Sequence, residues 1–231
     1  RYSQLQRLHR ASYRLVFNAQ ARIIDIALEA GFESPESVSR AFKNTFGQTP
    51  SQFREQPKWK PWKTRYQLPR RERRETMEVK IVDFERTMVA LLEHRGPPEL
   101  VNDSARRFIE WRKQSNYSPV KTSRTFGIAY DDPATAEPER FRFDICGSVS
   151  EEIPPNPQGV VNKVIPEGRC AVVRHLGAHD KLGESAYYLC REWLPESGEE
   201  LRDFPLFFHY LNLLHDTEEH ELVTDVYLPL K

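Results

Sequence analysis

The sequence predicts an α+β protein in two parts: an all-α N-terminal helix-turn-helix piece and a C-terminal piece in which the order β-α-β-β occurs twice with pseudo-twofold symmetry. Three observations predict this fold class. Apolar residues recur at helical spacing over about the first 55 residues, short alternating strands flank helices after residue 76, and the second pattern repeats after about 81 residues. The hydrophobic fraction of 39% is large enough for a buried core.

The N-terminal piece is predicted to contain four helices. Residues 1–17 and residues 23–30 each place apolar side chains at helical spacing, and Gly31 ends the second helix in the left-handed conformation that helix ends favour. Residues 34–36, Ser-Pro-Glu, combine an N-cap, a proline at the first helical position and an acid in the first turn, so a third helix begins there. Residues 49–51, Thr-Pro-Ser, open a short fourth helix.

The second and third helices, joined by a tight turn at a glycine, are typical of a helix-turn-helix. In that motif the second helix enters the major groove of DNA, and its N-terminal residues meet base edges. Arg40 is predicted to contact guanine and Glu36 to accept from cytosine, with Lys43 on phosphates. The candidate DNA-binding residues are Glu36, Ser37, Arg40, Lys43 and Asn44. The same spacing also fits a helical hairpin with a solvated polar face, so spacing alone leaves both interpretations open.

Net charge separates the two pieces. The chain holds 34 basic and 34 acidic residues, but residues 1–76 carry 16 and 7 of them while residues 77–231 carry 18 and 27. The net charges of +9 and −9 predict two domains with different partners, and the basic one attracts phosphate. Residues 56–76 contain three prolines and a basic run at 70–74, which predicts an extended linker that either contacts phosphates or only stays solvated.

The C-terminal piece repeats itself at an offset of about 81 residues. Residues 90–96, Ala-Leu-Leu-Glu-His-Arg-Gly, are similar to residues 171–177, Ala-Val-Val-Arg-His-Leu-Gly, whereas Trp111 and Trp193 match with a one-residue slip. The repeat predicts two sheets side by side with helices on one face. The predicted strands and helix are 87–94, 101–113 (helix), 125–130 and 141–149 in the first copy, and 169–175, 182–193 (helix), 206–211 and 222–230 in the second.

Three stretches of the N-terminal piece carry a family resemblance. Residues 23–34 (Ile-Ile-Asp-Ile-Ala-Leu-Glu-Ala-Gly-Phe-Glu-Ser), 39–43 and 46–54 closely resemble the AraC/XylS family of transcription regulators. The match corresponds to the second of that family's two helix-turn-helix units, so a first unit is expected either upstream of Arg1 or to have been lost. The resemblance implies double-stranded promoter DNA as a partner, with RNA polymerase as a further one.

Nearly all of residues 77–231 resemble a second family, the GyrI-like effector-binding domain of the Rob and BmrR type. The stretches that carry the match are residues 89–96, 130–133, 167–172, 193–198, 210–212 and 225–230. The resemblance implies a twofold-repeated α+β domain with an aromatic pocket for small, often cationic, amphipathic effectors. A ligand is expected in the crease between the two halves.

The resemblance gives five candidate effector-binding residues: Trp193, Phe208, Tyr210, Asp225 and Tyr227. Alternation along a strand puts Phe208 with Tyr210 on one face, and likewise Asp225 with Tyr227. Family members usually carry a glutamate where this chain has Phe208, so a buried cation loses that carboxylate and Asp225 remains as the expected one. Phe208 and Trp193 also fit plain core packing, and Asp225 also fits an acid near the end of a sheet.

No catalytic residue, metal ligand or cofactor is predicted. Some GyrI-like proteins are similar to hydrolases that use the pocket glutamate, which Phe208 replaces here. His175 and His179 are four residues apart, but Gly177 lies between them after a strand, so we expect them at the surface of a turn rather than on a metal. Residues 131–133, Asp-Asp-Pro, are predicted to form a turn.

The leading prediction is a cytoplasmic transcription regulator without enzymatic activity. Residues 1–55 bind DNA, residues 56–76 link, and residues 77–231 bind the effector. Apolar runs are only a few residues long, so no membrane partner is expected. The alternatives are a ligand-sequestering protein whose helices no longer bind DNA and, third, a small hydrolase.

Overall fold

The computed structural model describes residues 2–17, 20–58, 77–213 and 217–231. The chain divides into two compact units, which are Arg1–Arg74 with Leu213–Glu219 and Glu75–Asn212 with His220–Lys231. Most of the predicted linker, residues 59–76 with the basic run, lies outside the described residues. Within the described part, the first unit is helical and the second holds the strands.

The first unit contains the four predicted helices. They are α1 (Tyr2–Phe17), α2 (Ile23–Glu29), α3 (Pro35–Phe46) and α4 (Pro50–Glu55). Gly31 follows α2 with a φ of 78°, in the left-handed region that glycine occupies without strain. Ser34 and Thr49 each accept a hydrogen bond from the backbone N–H three residues on, and a proline begins the helix after each. The predicted helix starts are confirmed.

Buried aromatic rings join α3 to α4, and α1 packs on the other helices. Phe42 and Phe46 of α3 and Phe53 of α4 pack with ring centroids 4.5 to 5.4 Å apart. Leu15 of α1 and Ile26 of α2 are each only 1% exposed, and α1 contacts the other three helices. Burying one such side chain contributes about 1.5–3 kcal/mol, so this small core stabilises the packing of the four helices.

The second unit is built on one eight-stranded antiparallel sheet. Its strands are β1 (Val79–Phe84), β2 (Thr87–Arg95), β3 (Thr125–Ala129), β4 (Arg142–Ser148), β5 (Val161–Ile165), β6 (Gly168–Leu176), β7 (Leu206–Tyr210) and β8 (Val223–Pro229). They lie in the order β1-β6-β8-β7-β3-β4-β2-β5. The order reads the same from both edges towards the central pair, β3 and β7, so the duplication predicted from the sequence is confirmed.

The first strand of each half pairs with the other half. β1 pairs with β6, and β5 pairs with β2, so β1 and β5 form the two edges of the sheet. These strands add to the predicted β-α-β-β order of each half. Ile81 and Val161 are 47% exposed, and an edge strand of mixed polarity gives only a weak alternation in the sequence. β1 and β5 form strands because each pairs with a strand that is distant in the sequence.

The helices of both halves pack on one side of the sheet, which we call the helix face. They are α5 (Val101–Ser115) in the first half and, in the second, α6 (Leu182–Tyr187), a π-helical segment (Tyr188–Trp193) and α7 (Leu194–Ser197). A π-helical turn accommodates one extra residue. This extra residue explains the one-residue slip between Trp111 and Trp193.

Two apolar layers cover the sheet. On the helix face, α5 packs over Leu92 and Ile145, and the second helical stretch packs over Val173 and Val226. On the other side, the opposite face, lies a cluster that includes Phe84, Phe126, Phe207 and Tyr227. Each layer has its own core, so a side chain's face decides which neighbours it meets.

The three cysteines are free thiols, with Cys146 and Cys170 buried and Cys190 exposed. In the described part of the chain, no helix is long and apolar enough to cross a membrane.

Candidate functional site

The N-terminus of α3 is fixed by a reciprocal pair of serines. Ser34 Oγ accepts from the Ser37 N–H at 3.2 Å, and Ser37 Oγ accepts from the Ser34 N–H at 3.3 Å. The Ser37 hydroxyl also donates to the Ser34 carbonyl at 2.7 Å. Because its donor and one acceptor position are used within the turn, we expect Ser37 to orient α3 rather than to read a base.

The other four candidate DNA-binding side chains share the exposed surface of α3. Glu36, Arg40, Lys43 and Asn44 are exposed, whereas Val38 on the inner side of the helix is 2% exposed. Residues spaced three and four apart lie on one face of a helix, so the structure brings these four together.

Electrostatics favour a partner for this face. Hydrogen bonding from backbone N–H at the helix start, with that of the Ser34 hydroxyl, lowers the pKa of Glu36, which is therefore ionised at neutral pH. Within the described ranges, neither Arg40 nor Lys43 forms an ion pair, so both retain their donors. A guanidinium with free donors suits guanine or phosphate.

Two arginines outside α3 brace the motif. Arg7 of α1 donates to the Gly31 carbonyl at 3.0 Å, in the turn between α2 and α3. Arg54 of α4 donates to the Ala21 carbonyl at 2.7 Å. Sequence reasoning counted these residues only as positive charge, because nothing in helical spacing reveals a bond to a distant carbonyl.

The sheet divides the five candidate effector-binding residues between its two faces. Phe208 and Tyr210 lie on the helix face, and Trp193 packs there from the end of the π-helical segment. Asp225 and Tyr227 lie on the opposite face, because β8 presents the residue between them to Phe208 and neighbours along a strand alternate. The structure therefore does not bring the five together in one pocket.

The helix-face residues form an aromatic crease over the central strands. The Phe208 ring lies 6.2 Å from that of Phe143 and 6.3 Å from that of Tyr210, which also packs 4.9 Å from the His179 ring. Gly127 lies beneath them, and a Cβ there would clash with the Phe143 ring and stand 2.9 Å from the Tyr210 hydroxyl. The protein's own rings therefore fill the floor of the crease.

The crease offers ring faces and a phenol to a ligand. Burial raises the pKa of Tyr210, so its hydroxyl is protonated at neutral pH. Phe208 is 8% exposed, while Trp193 and Tyr210 are partly exposed. Such a surface suits a flat apolar molecule with a hydrogen-bonding group, and a cation would gain about 0.5–2 kcal/mol from a ring face.

Asp225 is held by a cation on its own face. Arg174 donates to both carboxylate oxygens, from Nε at 2.8 Å and from Nη2 at 2.9 Å. A bidentate pair of this kind neutralises the carboxylate. Tyr227 stacks on Phe207 with ring centroids 4.9 Å apart and an interplanar angle of 1°. The expected carboxylate is therefore absent from the crease.

His175 is buried, at 7% exposure, so its prediction as a turn-surface residue was wrong. Its Nδ1 lies 2.9 Å from the Ser185 hydroxyl and its Nε2 lies 3.1 Å from the Ala178 carbonyl. The His175 ring lies on the helix face at the end of β6, and its hydrogen bond to Ser185 connects β6 to α6. His94 makes the corresponding two contacts in the first half.

The two aspartates after β3 form the predicted turn and also reach beyond it. Asp132 accepts from the Ala134 N–H at 2.9 Å and from the Tyr187 hydroxyl at 2.6 Å, tying the turn to α6. Asp131 accepts from Arg142. No group of three or more potential metal-ligating side chains is clustered among the described residues.

Two family models match the chain. A GyrI-like small molecule binding domain matches residues 77–231, and a helix-turn-helix domain matches residues 1–56. The solved structure of the EcmrR C-terminal domain superposes with a TM-score of 0.55 at 16% identity, covering 68% of this chain and 98% of that one. That likeness concerns the fold.

Curated relatives match both parts. The probable transcriptional regulator YgiV of Escherichia coli K12 is 53% identical over 155 residues, covering 67% of this chain and 97% of that protein. The right origin-binding protein of the same organism is 40% identical over 58 residues, covering 25% of this chain and 20% of that protein. The chain belongs to the family with a GyrI-like small molecule binding domain, and it carries that domain together with a helix-turn-helix domain, as a DNA-binding regulator with a ligand-binding domain does.

Proposed function

We propose that residues 1–55 bind promoter DNA, that residues 56–76 link, and that residues 77–231 bind a small amphipathic effector that modulates transcription. The observation that carries the proposal is the exposed polar face of α3, whose N-terminus is fixed by the Ser34–Ser37 pair. A rigid helix with free basic side chains is what major-groove binding requires. A relative named as a probable transcriptional regulator supports the same function.

Within this proposal the residues of α3 have different roles in binding DNA. Arg40 and Glu36 read base edges, Asn44 contributes a further polar contact, and Lys43 binds phosphate. Ser37 sets the angle of the helix. RNA polymerase is a further proposed partner in the cytoplasm, where promoter DNA and the enzyme meet.

The effector site is proposed in the aromatic crease formed by Trp193, Phe208 and Tyr210. Phe208 stands where the family resemblance implies a carboxylate, and Asp225 lies on the opposite face with Arg174. Neutral amphipathic molecules are therefore favoured over cationic ones, because a buried cation would find no counter-charge. Without that carboxylate the crease is proposed to bind its ligand without converting it.

DNA binding is tested by fluorescence anisotropy of the full chain with a duplex selected from a random pool. Arg40→Ala should relax specificity at one base pair by about 1–3 kcal/mol, and Lys43→Gln should weaken all sequences and reduce the salt slope by about 1. Lys80→Gln, a charge change on the sheet, is the control. Unchanged specificity at every base pair for Arg40→Ala would contradict the docking of α3.

Effector binding is tested by tryptophan fluorescence with matched neutral and cationic aromatic probes. Wild type should prefer the neutral probe, and Phe208→Glu should move the preference towards the cation by about tenfold, because it supplies a carboxylate in the crease. Asp225→Asn should change neither affinity, since that residue lies on the opposite face. If Asp225→Asn changed the affinity for the probes and Phe208→Glu did not, the ligand would not bind in the aromatic crease.

A further inference from the structure

A second, polar site lies on the opposite face of the sheet, in the first half of the binding domain. It is a cavity of about 190 Å³ at the ends of β2, β3 and β4 and beside β5. Its lining includes the polar side chains of Glu93, Arg95, Tyr130, Arg142, Asp144 and Lys163. Pockets for drug-sized ligands measure about 300–1,000 Å³, so this polar cavity suits a much smaller molecule.

A buried carboxylate with one open oxygen lies at the base of the polar cavity. Asp144 is 4% exposed, and its Oδ2 accepts from the Tyr130 hydroxyl at 2.8 Å and from Lys163 Nζ at 3.0 Å. Among the described residues, no donor reaches Oδ1, and that atom is not sealed from solvent. Burial raises the pKa of Tyr130, so its hydroxyl donates at neutral pH. The open oxygen is therefore available to accept a hydrogen bond from a ligand.

Two guanidinium groups stand at the mouth of the polar cavity. Arg95 and Arg142 lie directly opposite each other on β2 and β4. Arg142 uses Nε and Nη2 on Asp131, and Arg95 uses Nε on Glu93 at 3.4 Å, so the terminal nitrogens of Arg95 keep their donors. The lining holds three cations and two carboxylates, and Arg142 is in addition paired with Asp131 beside it, so Arg95 is the guanidinium here whose terminal donors are open. A carboxylate on the ligand matches these open donors.

The second half of the domain provides an internal comparison. At the positions 81 residues away, the counterparts of Glu93, Arg95, Tyr130, Arg142, Asp144 and Lys163 are Arg174, Leu176, Leu211, Val223, Asp225 and Val82. The aspartate alone is common to both halves, and Arg174 binds both oxygens of Asp225. The fold does not need the polar set, because the second half forms the same strands without it.

We propose that the polar cavity binds a small monoanionic hydroxycarboxylate. The terminal nitrogens of Arg95 and the remaining nitrogen of Arg142 hold its carboxylate, since a guanidinium fork matches that group. The hydroxyl of the ligand donates to Asp144 Oδ1. This site lies on the face away from the aromatic crease, so the domain carries two ligand sites of different chemistry.

The test is isothermal titration calorimetry on the full chain with glycerate, lactate, propionate and inorganic phosphate. Glycerate or lactate should bind with a dissociation constant of about 1 mM or less and at least about tenfold tighter than propionate, which lacks the hydroxyl. Arg95→Leu should weaken that binding about tenfold or more, because it gives the first half the leucine that the second half has. Arg95 is exposed, so this variant leaves the core intact.

The control variant is Arg140→Leu, which removes a more exposed charge close by but outside the lining. It should bind glycerate as wild type does. Equal binding of glycerate and propionate, preferential binding of phosphate, an absence of binding by both hydroxycarboxylates, or unchanged affinity in Arg95→Leu would each overturn the proposal.

Discussion

The two halves of the binding domain share the same arrangement of strands and helices but bury different types of side chain. The first half buries Arg112 of α5, which is 2% exposed and donates to the Ser118 carbonyl at 2.6 Å and to Thr125 Oγ1 at 2.8 Å. Burial lowers the pKa of Arg112 to about 10, so it remains charged at neutral pH. The helix of the second half has the π-helical segment here, and it carries Trp193 and Leu194 instead.

Because the domain is duplicated, features that both halves share can be assigned to the fold, and features found in one half are candidates for function. Strand order, the histidine contacts and the helix positions are common to both halves, so they belong to the fold. The buried arginine and the polar cavity occur in the first half, while the π-helical segment and the partly exposed tryptophan occur in the second. A π-helical turn often marks a functional position, which agrees with a role for Trp193 in the crease.

The largest expected effect comes from Gly147, which the first half needs beside its buried arginine. A Cβ at this position would contact the Ser118 hydroxyl and lie 3.2 Å from Arg112. Gly147→Ala should therefore destabilise the protein by about 1–3 kcal/mol, measured by urea unfolding. The second half has Leu228 at the equivalent position and needs no such space.

Replacing Gly183 by alanine is expected to have the opposite effect on stability. It lies in α6, where an added Cβ would have no neighbour nearer than 3.9 Å, and alanine has the higher helix propensity. Gly183→Ala should stabilise by up to about 1 kcal/mol. Equal effects of the two substitutions would show that the buried arginine does not set the local packing.

An equal loss of stability at both sites is expected for the two histidines that join strand to helix. His94→Ala and His175→Ala each remove two hydrogen bonds and leave a serine hydroxyl without its partner, at about 1–3 kcal/mol per site. Matched losses in urea unfolding would confirm that the two contacts are one structural device used twice. A loss at one site alone would show that the halves are unequal even here.

Local sequence signals predicted much of the fold. The caps at Ser34 and Thr49 act within four residues, so the sequence contains the whole interaction. The repeat predicted the paired helices and three strands of each half. β1 and β5 were not predicted, because each forms a strand by pairing with residues 70 to 94 positions away in the sequence.

The candidate site was predicted less well, because the register between strands is not visible in one sequence. Alternation placed Phe208 with Tyr210 and Asp225 with Tyr227, but only the pairing of β7 with β8 shows that these two sets lie on different faces. The lining of the polar cavity comes from four strands, and no spacing along the chain unites it. A comparison of Glu93 and Arg95 with Arg174 and Leu176 was the available signal.

A pH dependence is expected to distinguish the second half from the first. Burial, with the positive charges of Arg124 and Arg174, lowers the pKa of His209 to about 4, although Asp225 opposes the shift. Ile128 of the first half occupies the equivalent place. Because the folded pKa lies below the unfolded value of about 6.5, the stabilisation from neutral His209 is complete above pH 6.5 and is lost as the pH falls towards 4.

His209→Ile gives the second half the residue of the first and removes this titration. Urea unfolding at pH 7.5 and pH 4.5 should therefore show a smaller loss of stability on acidification for the variant than for wild type. His175, whose pKa burial also lowers, remains in both proteins and contributes equally to each. If the variant loses as much stability as wild type, protonation of His209 is not what makes the second half sensitive to acid.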